Sequence, residues 1–167
     1  MARAPVFGAG SVGPAGQTTP SPRAADSSDP RTVRTIAAVP AGGPIVVDGA
    51  LDEPVWASPG AGGFTQRNPW DGQPATEPTT VWVAFDRDNL YIAARLADSE
   101  PDKIVGRLGR RDEVVESDWL DVGLDPYHDR RSGYYFSVNP FGSIQDGTLA
   151  NDEQTDATWD GVWESAA

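Results

Sequence analysis

Trp119-Leu120-Asp121-Val122-Gly123-Leu124-Asp125 and Gly133-Tyr134-Tyr135-Phe136-Ser137-Val138-Asn139, joined by Pro126-Tyr127-His128-Asp129-Arg130-Arg131-Ser132, decide the fold. Both runs alternate from residue to residue and the connector is rich in turn formers, so the pattern predicts an antiparallel hairpin. Pairing Asp125 with Gly133 sets Leu124, Val122 and Leu120 against Tyr134, Phe136 and Val138, which gives one face a continuous apolar surface. The other face then opposes Gly123 to Tyr135, Asp121 to Ser137 and Trp119 to Asn139. Aromatic rings among polar groups suit a sugar platform, and they suit an ordinary solvent face equally well.

Outward from this hairpin the same chemistry repeats. Thr80 to Phe85 and Leu90 to Leu96 flank the polar turn Asp86-Arg87-Asp88-Asn89, with Phe85 facing Leu90, Val83 facing Ile92 and Val81 facing Ala94. Both faces of that pair are apolar, which predicts central strands covered on each side. Ser143 to Leu149 reads as a further strand whose parity puts Asp146 on the inner, apolar side. Pro101 to Val115 is irregular, with one helical turn around Lys103 to Leu108. Ile45-Val46-Val47 reads as a strand ending at Asp48-Gly49, after which Leu51 and Trp56 pack against a sheet edge. Trp56, Trp82 and Trp163 are core candidates. Trp159 to Glu164 reads as the start of another strand. The expected fold is all-β, a two-sheet antiparallel β-sandwich of jelly-roll type, truncated at its C-terminal strands and poorly soluble through an unpaired edge.

A length of 167 residues predicts one domain. Residues 1–33 are dominated by Gly, Pro, Ser, Thr and Ala, so they are expected to be disordered, with the sandwich spanning 34–167. Pro5 and several glycines break the only leader-like stretch, leaving no clear signal peptide, and no run reaches the roughly 18 apolar residues of a membrane helix. Absence of Cys excludes disulfides and thiolate metal sites. Four of the 13 basic and two of the 25 acidic side chains fall in Met1 to Pro40, so Ala41 to Ala167 carries nine against 23, a net charge of −14. Such a surface repels nucleic acid and anionic membranes, while neutral glycans and divalent cations remain suitable partners.

Several blocks in order carry a resemblance. Asp48-Gly49-x-Leu51-Asp52-Glu53-x-x-Trp56, Ala75-Thr76-Glu77, Leu90-Tyr91-Ile92-Ala93, Asp118-Trp119-Leu120-Asp121-Val122-x-Leu124-Asp125 and Tyr134-Tyr135-Phe136-Ser137-Val138-Asn139-Pro140 resemble the family 9 carbohydrate-binding modules. The closer likeness is to a version at the front of large exported bacterial proteins, where an outer-membrane β-barrel is expected to follow. The resemblance implies a non-catalytic carbohydrate-binding module of a protein linked to polysaccharide catabolism, in the periplasm or at the outer membrane, with hydrolase activity in companion domains. It also implies a glycan end held between two Trp rings beside an acid, an Arg and an Asn. Carried over, the first Trp falls on or near Val115, the acid on Asp121, the Arg on Ser137 and the Asn on Asn139, so two of the four positions keep their type.

The candidate glycan residues are therefore Asp121, Asn139, Trp119, Ser137 and Tyr135 on the hairpin, with Trp70 on the loop Asn68-Pro69-Trp70-Asp71-Gly72 as a replacement stacking ring. Structural calcium is a further implication of the family, and Asp86 with Asp88, or Asp125 with Asp129, offers clustered oxygens that turn chemistry explains as well. No catalytic constellation is evident. Glu116, Asp118 and Asp121 are not forced to converge, and the single His128 lies in a turn. The alternative is a structural or docking sandwich that has lost the sugar cleft and packs on a barrel or a partner protein, including the C-terminal domains of a parent chain.

Overall fold

Trp56 shows how the first sheet is assembled. It lies in a single 3-10 turn, Pro54–Ala57, and is buried against Ala84 and Ala93, with Val39, Ile45, Leu51, Val55, Trp82 and Tyr91 packed around this cluster. The computed structural model describes residues 35–151 and 154–167, so the expected disorder of residues 1–33 lies outside the described residues. Ile36–Ala167 forms one compact unit. Its strands are β1 (Ala38–Pro40), β2 (Thr79–Phe85), β3 (Leu90–Leu96), β4 (Leu120–Leu124), β5 (Ser132–Val138), β6 (Ile144–Ala150) and β7 (Gln154–Asp156). They make one sheet ordered β1-β2-β3 and another ordered β4-β5-β6-β7. All pairs are antiparallel except β1 with β2. The architecture is all-β and consistent with a β-sandwich. No helix among the described residues is long and apolar enough to cross a membrane.

In the first sheet the register is the expected one, Phe85 opposite Leu90 and Val81 opposite Ala94. The turn between them is closed by Asp86, whose Oδ1 accepts the N–H groups of Asp88 and Asn89, both at 2.7 Å. On the packed face, Ala84 and Ala93 leave the hollow that Trp56 fills. Glu53 fixes that ring: one carboxylate oxygen accepts the indole N–H at 2.8 Å and the other accepts the Val46 N–H at 2.8 Å. These bonds, Val46 first, hold the Glu53 carboxyl below its usual range. The opposite face departs from the expectation of cover on both sides. Phe85, Leu90, Ile92 and Leu96 remain 42%, 52%, 36% and 55% exposed, and β3 is an edge strand.

The second sheet matches the expected hairpin, with Leu124 opposite Tyr134, Val122 opposite Phe136 and Leu120 opposite Val138. β6 continues it and sets Asp146 opposite Phe136. Asp146 is completely buried there, and its carboxylate accepts from an Arg111 guanidinium nitrogen at 2.5 Å and from the Gly161 N–H at 2.5 Å. The same Arg111 nitrogen donates to the Gly161 carbonyl at 2.8 Å. An inward Asp is thus the anchor that ties two otherwise irregular segments to the sheet.

Three expected elements are corrected, the first two by a competing hydrogen bond and the third by a proline. Ile45 to Val47 is not a strand, because the Val46 N–H goes to Glu53 instead of a ladder. Trp159 to Glu164 is not a strand either, because both backbone groups of Gly161 go to Asp146 and Arg111. A Cβ at Gly161 would also lie 2.8 Å from the Trp159 ring, so a side chain is excluded there. Trp159 instead packs tilted against Tyr134 at 4.7 Å and Trp163 edge-on against Phe136 at 5.2 Å between centroids, which covers the apolar face of the hairpin without adding a strand. The helical turn expected at Lys103 to Leu108 is a 3-10 turn at Pro101–Lys103, with Pro101 supplying a φ suited to a helix start.

Candidate functional site

The polar face of the second sheet carries a cleft of about 570 Å³, within the size range of small-ligand sites. Its floor follows from the cross-strand register, in which Tyr135 on β5 lies between Gly123 on β4 and Gly147 on β6. A Cβ at Gly147 would come within 2.6 Å of the Tyr135 ring, whereas one at Gly123 would meet nothing within 4 Å. The ring therefore leans over Gly147 and leaves open space above Gly123. Around that space stand Asp121, Ser137, Gln145 and Asp112.

Three of the expected glycan residues, Asp121, Ser137 and Tyr135, are thus brought together. Burial first, then the charges of Asp112, Asp146 and Asp156, hold the Tyr135 phenol above its ordinary range, so it stays a neutral donor and acceptor. Gln145 uses its Nε2 on the Glu113 carbonyl at 2.9 Å, which turns its carbonyl oxygen to other partners.

The other three fall elsewhere. Asn139 is 1% exposed: its amide donates to the Arg107 carbonyl at 2.7 Å and its oxygen accepts the N–H groups of Phe141 and Ser143 at 3.0 and 2.8 Å. It latches the loop before β4 over the β5–β6 turn and has no free face for a ligand. Trp119 precedes β4 and does not line the cleft. Trp70 is 67% exposed on its own tight loop, outside the cleft. Asp118, weighed as an acid, accepts the Val105 N–H at 2.8 Å and serves the loop.

The carboxylates with clustered oxygens serve their turns. Asp125 accepts the N–H groups of Asp129 and Arg130, at 3.3 and 2.9 Å, while Asp129 accepts those of Arg131 and Ser132 and the Ser132 hydroxyl. Asp88 is exposed beside Arg87. Asp86 also accepts the Tyr91 hydroxyl at 2.7 Å, and this bond, followed by the N–H groups of Asp88 and Asn89, holds its carboxyl down to about 2. A carboxyl lowered by folding adds stability above the usual carboxylate range and loses it as pH falls toward about 2. In an NMR titration, Tyr91→Phe is therefore expected to raise the Asp86 midpoint toward the ordinary value. An unchanged midpoint would show that the turn N–H groups act alone.

Sequence reasoning missed a third acidic group, Asp112, Asp146 and Asp160, whose ligand atoms lie within 4.8 Å of one another. Its cation is already present. Arg111 lies 2.5 Å from Asp146, 3.3 Å from Asp160 and 3.6 Å from Asp112, so the trio is a guanidinium site. The available signal was an Asp at an inward strand position, which demands a buried cationic partner. No protein-family model, curated protein or solved structure matches the chain.

Proposed function

We propose that this chain is a non-catalytic glycan-binding module of a larger exported protein linked to polysaccharide catabolism, acting at the periplasm or outer membrane. The observation that carries the reading is the cleft over Gly123, where a neutral phenol, a free carboxylate and a hydroxyl surround a space of about 570 Å³. Sugars present apolar C–H faces beside many hydroxyls, so a tilted ring edged by acceptors suits them. The blocks that resemble family 9 modules support the same reading, as does the −14 charge of the segment from Ala41, which leaves neutral glycans as compatible ligands. By holding glycan near companion domains, the module would raise its effective concentration there. Calcium has no part in this proposal, because Asp86, Asp125 and Asp129 already accept from their own turns.

Filling the floor tests the site directly. Gly123→Val adds a β-branched side chain to a strand where nothing lies within 4 Å, so the fold should be kept or slightly strengthened. Titration with short gluco- and xylo-oligosaccharides is expected to show binding by the parent chain and at least about tenfold weaker binding by the variant, with unchanged melting. Equal binding by both would remove the cleft from the site.

A second reading, a docking sandwich that packs on a barrel or partner protein, is favoured by one feature. The uncovered face of β2 and β3 presents Phe85, Leu90, Ile92 and Leu96 side by side, an apolar patch of the kind that marks contact surfaces.

A further inference from the structure

The cleft has an electrostatic sign. Two carboxylates, Asp121 and Asp112, line it, and among the described residues no Lys or Arg does. Asp112 is committed: one oxygen accepts the Asp146 N–H at 3.0 Å and the other lies 3.6 Å from Arg111 Nε. Asp121 is exposed and its side chain makes no hydrogen bond or ion pair with the described residues. Directly opposite in register, Ser137 is only 4% exposed, and its hydroxyl borders the cleft without a partner among the described residues. The buried side-chain polar atom without a partner among the described residues is Trp163 Nε1, so the Ser137 hydroxyl is open to the cleft and available to a ligand. The hydroxyls of Tyr135, Ser137 and Thr155 can donate as well as accept, so the free Asp121 carboxylate is the charged group of the cleft that can only accept. A ligand matched to it supplies a charged donor.

We infer that the cleft, read as a glycan site as above, selects sugars bearing a protonated amine over neutral sugars, and neutral sugars over uronates. Asp121 receives the ammonium and Ser137 a neighbouring hydroxyl or N–H, as a glucosamine unit would provide. This inference rests on the glycan-binding reading and narrows it to a substrate class. The preference is local, because the Debye length of about 8 Å in physiological salt screens more distant charges of the chain. One accessible ammonium–carboxylate contact corresponds to about fivefold in affinity.

The test is calorimetric titration of the whole chain with three trisaccharides, of glucosamine, of glucose and of galacturonate, at low and high ionic strength. Short probes keep the measurement to the main cleft, since Arg130 and Arg131 border a smaller hollow of about 210 Å³ beyond Gly123 and Leu149. The expected order is glucosamine about fivefold tighter than glucose at low salt, with galacturonate weakest and the gap narrowing as salt rises. Asp121→Asn is expected to bring the glucosamine-to-glucose ratio to about one. Glucose binding as tightly as glucosamine, or a ratio that survives Asp121→Asn, overturns the inference and leaves the glycan reading standing. Binding of none of the three at millimolar concentration overturns both.

Discussion

Arg111→Met is expected to lower stability by about 3 kcal/mol, the lower end of the range for stripping a buried carboxylate of its partner. The lower end applies because the Arg111 side chain is 36% exposed and water shares its charge, while Asp146 is wholly buried. The variant would leave Asp146 with the Gly161 N–H but no cation, and it would release the Gly161 carbonyl as well. A shift in melting temperature on the order of 10 °C is the measurable outcome. Arg111→Met combined with Asp146→Leu should recover most of that loss, since replacing both members of a buried pair by apolar groups removes the desolvation penalty. If the single variant melts like the parent, the clamp is dispensable. Geometry alone would not have singled it out: Lys103 and Glu100 approach to 2.6 Å, yet with side chains 72% and 62% exposed their pair is worth about 0–1 kcal/mol.

Trp56→Ala is expected to cost about 3–5 kcal/mol, the range for deleting a large aromatic from a core. The buried apolar residues around it are Ala84 and Ala93, so among the described buried core residues the ring is the only large group. Its removal would empty the hollow above two alanines and leave Glu53 without the indole donor, loosening the segment from Val46 to Ala57. Trp56→Phe separates the two effects, because it keeps most of the volume and loses the N–H. Urea unfolding of both variants measures the difference, and a Trp56→Ala loss below about 1 kcal/mol would show that the first sheet has no dependence on this ring.

Much of the sheet structure was legible because it depends on a period of two. In β2 with β3 and in β4 with β5, apolar groups alternate between faces and the turns are closed by their own Asp and Asn side chains, so local chemistry fixes register. The candidate site was legible to the same depth. Asp121, Tyr135 and Ser137 share a face by parity, and the cleft contains all three. Asn139 has the same parity yet is buried, because a loop distant in sequence lies over it. Parity assigns a face and says nothing of what covers it.

By itself the amino-acid sequence determined the all-β class, the two hairpins and their registers, and the acidic balance of the segment from Ala41, since each follows from residue order. Only the tertiary structure decided where Asp146 finds its cation, why Trp159 to Glu164 is not a strand, and which polar residues remain open to a ligand. Those outcomes depend on Arg111, Asp146 and Gly161 meeting across 35 and 15 residues of chain. A buried charge takes the best partner in space, and that partner's place in the sequence leaves no periodic trace.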